Sequence, residues 1–370
     1  MIRIDRRIFL HFDYILILLI IPIIATSYFL VDELHPSLAH KQLLYYGAGL
    51  LAFLFFFLIP IRRLLWLVPF LYWINVALLA LVPIIGVKKL GARRWLELPL
   101  VHLTIQPSEL MKIAFVMMLA YLIYQNPPDE KYGYGLKAFA KFSFYILVPF
   151  ILIAKEPDLG SALVLLFVGY GVLFIIGVHY RIWLVIGAIL LISAPLIYTT
   201  LHDYQKKRIR DFLSEKPSYH VRQSIIAIGS GGLTGQSKED ATQTHLKFLP
   251  IAVSDFIFSF FVERFGFWGG VALIALYALI ILYLMMMVLY MKSNYLIQVV
   301  AASLALLLFL YSGINIAMTL GYAPVVGLPL PLFSHGGTSF ITFMVLLGIL
   351  ENLLSFRHDT LYDSVRFGEE

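Results

Sequence analysis

The sequence predicts an all-α polytopic membrane protein of about ten transmembrane helices, with a large extracytoplasmic loop between the seventh and eighth. Three observations predict it. Of 370 residues, 61% are hydrophobic and 14% charged, with a mean hydropathy of +0.87, well beyond the roughly 45 to 50% apolar content of a soluble domain. Apolar runs of about 17 to 25 residues, enough to cross a bilayer as helix, recur along the whole chain. Basic residues also gather in alternate connections, as the positive-inside rule requires. The chain therefore reads as one membrane bundle over residues 1–370 with no separate soluble domain. It contains no cysteine, which excludes disulfides and thiolate metal sites.

The ten spans fall near 10–31, 42–59, 64–85, 109–125, 140–154, 159–177, 181–200, 264–291, 296–320 and 335–356. The first is longer than a signal h-region and has no small-residue cleavage pattern behind it, so it is expected to be a retained anchor. Arg3, Arg6 and Arg7 precede it and put the N-terminus in the cytoplasm; an even number of spans returns the C-terminus to the same side. Arg62 and Arg63, then Lys131, Lys137 and Lys141, then Arg181, Lys292 and Arg357 mark the remaining inner connections.

Two outer segments break that charge rule. Residues 86–108 carry Lys88, Lys89, Arg93 and Arg94 against one Glu97, and residues 201–263 carry eight basic residues, among them Arg208 and Lys247. Long loops translocate regardless of charge, but a short one with four basic residues calls for a reason. One is snorkelling of long side chains to headgroups. The favoured one is an anionic substrate at the outer leaflet, where arginine and lysine pair with phosphate.

The acidic residues at span ends are the next signal. In "QPSELMKIAF", Pro107 suits a first helical turn and Glu109 its positive dipole end. Lys112 shares the face of Glu109 at i+3. The pair reads equally as a buried structural ion pair and as a substrate contact. In "AKEPDLGSA", Asp158 opens the sixth span and reads first as its N-cap. "IAIGSGGLTGQ" lacks the preceding strand of a dinucleotide loop, so its glycines are expected to fold the large loop tightly. "GYAPVVGLPLPLFSHGGTSF" is apolar but too rich in proline to be a helix throughout. Irregular backbone at membrane depth must be buried in protein or line a cavity, so this segment is expected to form a re-entrant wall beside a site.

Asp255 is the most telling residue. It lies in "FLPIAVSDFIFSFFVERFGFWGG", and a mid-bilayer carboxylate costs about 3 kcal/mol on insertion scales. If 254–263 is helical, Asp255, Ser259 and Glu263 share one side at i, i+4 and i+8, with phenylalanines around the rest. Partial desolvation would raise the basicity of Asp255 and suit it to act as a general base. A cap or an ion pair with Arg264 or Lys247 is the alternative.

In order along the chain, "GARRWLEL", "QPSELMK", "EPDLG", "DYQKKR", "IAIGSGGLTG", "TQTHLKFLP", "SDFIF" and "NIAMTLGYAPVVGLPLPLFSHGGTS" resemble the SEDS family of shape, elongation, division and sporulation proteins. The "DYQ" and "TQ" elements are closer to its elongation branch than to its division branch. The resemblance covers nearly the whole chain. It implies a peptidoglycan glycosyltransferase of the bacterial cytoplasmic (inner) membrane that polymerises lipid II for rod-shaped growth, with Asp255 catalytic. It places Glu109, Lys112, Asp158 and Arg208 at the family's charged positions, with Arg94 and Glu263 as further substrate-site candidates. A divalent cation, magnesium or manganese, could share the pyrophosphate charge, but no ligand spacing identifies its site. No organic cofactor and no nucleic-acid partner are expected. The implied partners are a class B penicillin-binding protein transpeptidase and other elongation-complex proteins. The chain departs from the family pattern at Ile251 and Val253, where Glu and His are usual, and at Tyr322 and His335. A lipid-linked precursor flippase and a non-catalytic scaffold are the alternatives. Charge gathered towards one face and the lack of an internal repeat favour the enzyme over the flippase, and a scaffold has no need of an acidic residue 255.

Overall fold

The computed structural model describes residues 12–89, 92–98, 103–129, 132–200, 206, 210, 212, 218–241, 253–291 and 294–357. Eleven α-helices are described in chain order: α1 (Tyr14–Leu34), α2 (Pro36–Leu58), α3 (Val68–Ile85), α4 (Pro107–Gln125), α5 (Leu136–Lys155), α6 (Leu159–Ile176), α7 (Tyr180–Thr200), α8 (Tyr219–Ser230), α9 (Ile257–Tyr290), α10 (Tyr295–Thr319) and α11 (Gly337–Ser355). Among the described residues, nine spans are long and apolar enough to cross a membrane: α1, α2, residues 61–85 including α3, α4–α6 and α9–α11. The remaining expected span corresponds to α7, which is apolar over Tyr180–Ser193. The protein is a multi-pass membrane protein.

Helices α4, α10 and α11 are buried over most of their length, whereas α1 to α3 are mostly exposed, as lipid-facing helices are. Small residues let the interior helices approach. A Cβ at Gly348 of α11 would lie 2.5 Å from the Phe53 carbonyl of α2, and one at Gly49 of α2 would strike the Phe340 ring.

Two connections are more ordered than their sequences suggested. Residues 86–108, expected as a basic loop, contain a small antiparallel sheet in the order β1-β2-β3, formed by β1 (Val87–Lys89), β2 (Ala92–Leu98) and β3 (Leu103–Ile105). Within the long 201–263 connection, "YHVRQSIIAIGS" forms α8 and packs on α9. Ser224 ties it to Ser259 at 2.5 Å and donates to the Thr319 carbonyl at 2.6 Å.

The alternation of helix direction puts the α1–α2, α3–α4, α5–α6 and α10–α11 turns, together with the start of α9, at one end of the bundle. Every described candidate residue lies at that end. Between α10 and α11, residues 320–336 form turns and extended backbone while Leu328, Leu330, Leu332 and Phe333 stay buried. This is the irregular apolar wall that proline spacing anticipates.

Candidate active site

The segment containing Asp255 does not continue the helix upstream. Helix α9 begins at Ile257, Phe256 is its N-cap, and residues 253–256 form a turn. The expected helical stripe from Asp255 through Ser259 to Glu263 therefore fails at its first member. Ser259 and Glu263 point into the protein, each 0% exposed, while Asp255 is half-buried. Phe256, Phe258, Phe260 and Phe261 are all buried around this start, as the aromatic pattern suggests.

Bonds from α10 and from the irregular wall to backbone carbonyls hold the turn. Asn315 of α10 donates from Nδ2 both to the Asp255 carbonyl, at 2.9 Å, and to the Leu328 carbonyl, at 2.7 Å. Ser334 donates to the Ser254 carbonyl at 2.6 Å, and the His335 amide donates to the Val253 carbonyl at 2.8 Å. A Cβ on Gly327 would sit 3.7 Å from Asp255 Oδ2, so bare backbone faces the carboxylate. Gly327 has φ +73, a conformation glycine adopts without strain. Among the described residues, no cation pairs with Asp255: Arg264, its partner in the alternative reading, instead binds Glu33 of α1 at 2.6 Å and the Gln236 carbonyl. Burial lifts the Asp255 carboxyl above the usual aspartate range, partly offset by its bond with Ser254.

The second group lies across the same wall. Val326 and Gly327 are sandwiched, with Asp255 on one side and Gly160 of α6 on the other, where a Cβ would be 3.2 Å from the Val326 carbonyl. One residue before α6, Asp158 accepts from the Ser161 amide at 3.3 Å, so the capping role read from sequence is present. Arg94 of β2 lies 3.8 Å from the Asp158 carboxylate and donates to the Glu156 and Pro157 carbonyls at 3.4 and 2.5 Å. The sheet thus exists, in part, to bring a guanidinium onto the α5–α6 turn. Glu156 is 2% exposed, and both its carboxylate oxygens lack a hydrogen-bond partner. Burial first, then Asp158 beside it, push its carboxyl up to about 8, with Arg94 pulling the other way.

Lys112 and Glu109 meet at 2.6 Å, as their i,i+3 spacing predicts. The ammonium also sits 4.7 Å above the Tyr311 ring of α10, a cation–π contact strengthened by desolvation. Glu109 Oε2 is buried without a hydrogen-bond partner. The structure thus brings Glu109, Lys112, Asp158 and Arg94 to one end of the bundle with Asp255, while Glu263 is enclosed within α9. Arg208, Lys247 and Ile251 lie outside the described residues. Sequence reading missed Asn315, Ser334 and Glu156 as individual contributors. A lone asparagine in an apolar helix was the available signal for Asn315.

The comparisons agree with one another. Residues 3–359 match the FtsW/RodA/SpoVE family, described as cell cycle proteins. The chain is 54% identical over 361 residues to the peptidoglycan glycosyltransferase MrdB of Helicobacter pylori strain ATCC 700392 / 26695, covering 97% of this chain and 94% of that one. It is 38% identical over 300 residues to MrdB of Escherichia coli K12, 78% of each chain. Among solved structures, it superposes on a chain from a peptidoglycan synthase complex that coordinates polymerization and crosslinking, with TM-score 0.80, 28% identity and coverage of 94% and 99%. It also superposes on the rod shape determining protein RodA of Thermus thermophilus with TM-score 0.70, 28% identity and coverage of 94% and 98%.

Proposed function

Since the chain belongs to the FtsW/RodA/SpoVE family and is a peptidoglycan glycosyltransferase of the elongation type, we propose that it polymerises lipid II with Asp255 as the general base. The observation that carries this reading is a half-buried carboxylate on a backbone-braced turn, with no cation pairing among the described residues. Such a group keeps a lone pair for chemistry instead of committing it to a salt bridge. Asp255 takes the proton from the 4-hydroxyl of an acceptor GlcNAc. That oxygen then attacks C1 of MurNAc on the second chain as the bond to the lipid pyrophosphate breaks, with inversion at carbon.

Glu109 and Asp158 orient saccharide, and Lys112 and Arg208 offset the negative charge of the leaving pyrophosphate. Arg94 acts by holding the α5–α6 turn. Among the described residues, no group of three or more histidines and carboxylates could hold a metal ion. Magnesium or manganese therefore enters this reading only as a companion of the substrate's pyrophosphate, and no step passes through it. The working end of the bundle faces out of the cytoplasmic membrane, with both termini inside. A synthase complex is the structural setting of one similar chain, and the partner assigned here is a class B penicillin-binding transpeptidase.

The test is polymerisation of fluorescent lipid II by the purified protein with its transpeptidase, wild type against Asp255→Asn. Long strands from the wild type and a loss of a hundredfold or more in the variant are expected. Equal products from both would overturn the role of Asp255, and none from either would overturn the substrate.

A further inference from the structure

Glu156 takes no part in the polymerase reading, yet it is the most enclosed acid of the α5–α6 turn. It follows α5 as its C-cap and stands two residues before Asp158, the N-cap of α6. Only 2% of it is exposed, and neither carboxylate oxygen has a hydrogen-bond partner. The reason lies in how Arg94 spends its donors. From β2, its Nε donates to the Glu156 carbonyl and one terminal nitrogen to the Pro157 carbonyl, while the other terminal nitrogen lies 3.8 Å from the Asp158 carboxylate. All three guanidinium nitrogens thus face main-chain carbonyls or Asp158, and none bonds the Glu156 carboxyl.

That distribution fits one charge state. One guanidinium faces one carboxylate, so the dry turn is balanced only if Glu156 carries its proton. Among the described residues, the charged groups that reach Glu156 are Asp158 on its own turn and Arg94 from β2. Lys155, the residue before it, is exposed at the end of α5. From α10, Tyr311 feels the charge of Asp158 as well as that of the Glu109–Lys112 pair. Burial first, then Asp158, raise the Glu156 carboxyl to about 8 against the pull of Arg94, in keeping with a neutral side chain.

We propose that Glu156 is a positioning residue of the transfer site that works in its neutral form, leaving Arg94 to hold Asp158 and the α5–α6 turn. This role rests on the polymerase reading above, in which Asp158 orients saccharide. On ionising, Glu156 releases its proton to solvent and sets a second buried anion beside the first. A single guanidinium cannot serve both carboxylates and keep its two carbonyl bonds. Arg94 then turns from Asp158 towards Glu156, and the cap of α6 loses its brace. The site is therefore set at pH values below the Glu156 pKa and slackens as pH rises through it.

The pH profile of the lipid II assay tests this. The wild-type rate should fall through a one-proton alkaline limb centred at about 8, reaching roughly a tenth of its neutral value by about pH 9. This limb needs no variant to fold. Glu156→Gln makes the neutral state permanent, so its rates at about pH 7 and about pH 9 should agree within about twofold. Infrared difference spectra, wild type minus Glu156→Gln, read the charge state without turnover: the carbonyl band of a protonated carboxyl should be present at neutral pH and vanish through the same limb. A wild-type rate that stays level into the alkaline range would overturn the proposal. So would the same limb in Glu156→Gln, a folded Glu156→Gln with no activity at neutral pH, or a carboxylate band at neutral pH. No strands from the wild type at any pH would instead sink the polymerase reading, and this role with it, whatever the infrared band shows.

Discussion

Asp255 is pulled in two directions. As the proposed base it must be ionised, and its raised pKa means that activity should appear only as pH climbs through a value above the roughly 3.9 of a free aspartate. For folding, the sign reverses: a carboxyl with a raised folded pKa contributes stability below its unfolded pKa and loses it as pH rises through the folded one. Asp255→Asn should therefore be inactive yet melt no lower than the wild type at neutral pH, and calorimetry on the detergent-solubilised protein checks this. The Glu109–Lys112 pair, which sequence left as either structural or substrate-binding, can be divided in the same manner. Lys112→Met alone strands a buried carboxylate and should cost about 3 to 5 kcal/mol. Glu109→Gln with Lys112→Met should recover most of that stability; if the pair serves only the fold, it should recover the polymerisation rate as well, and if it holds substrate, it should not. At this scale the sequence was informative wherever a charge interrupts an apolar run, as at Glu109, Lys112, Asp158 and Asp255. It was silent where a neutral side chain works through a distant carbonyl. Nothing local to Asn315 says that its partners are residues 255 and 328.

At the scale of elements, the site depends on where α9 starts and where it bends. Starting the helix at Ile257 and not at Ser254 frees Asp255 from the helix ladder, and Asn315 then fixes the turn. Asn315→Leu fills similar space but leaves the Asp255 and Leu328 carbonyls unpaired, at about 1 to 3 kcal/mol each. It should lower both the melting temperature and the polymerisation rate. The bend is at Gly266, with φ +68 and ψ −169. Its freed backbone groups are taken up by residues 232–236: Phe267 donates to the Gly232 carbonyl, Trp268 to that of Leu233, and the Gln236 amide to that of Glu263. The position is closed to any side chain, since a Cβ there would lie 2.3 Å from the Gly235 nitrogen. The spans were readable because hydropathy alone sets them. The sheet at 87–105 and helix α8 were not, because short amphipathic pieces take their form from the helix ends they pack on.

For the whole molecule, the arrangement commits the chemistry to one end of the bundle, and its orientation can be measured directly. The absence of native cysteine makes single-cysteine labelling clean. Lys238 and Lys137 are both exposed, at opposite ends of the bundle. In whole cells with a permeable outer envelope, an impermeant thiol reagent should label Lys238→Cys and spare Lys137→Cys; the reverse pattern would turn the molecule over. The fold class was accessible from composition, since burial in lipid requires helices with satisfied backbones. The gathering of separate loops into one site was not, because it depends on packing between α4, α6, α9 and α10.

The bend at Gly266 also bears on how the chain is made. From Phe267 to Tyr290, α9 extends about 36 Å at 1.5 Å per residue, already enough for a hydrocarbon core of about 30 Å. Insertion machinery can therefore read that stretch as a complete span without drawing in Glu263 or Arg264. The aromatic leader 256–265 is free to cross with the long connection before it and to fold back afterwards, once α1 offers Glu33 and α8 offers its glycine turn. The turn carrying Asp255, the proposed base, would then be assembled only after the membrane has accepted the helix that follows it, so that an incompletely inserted chain carries no complete site.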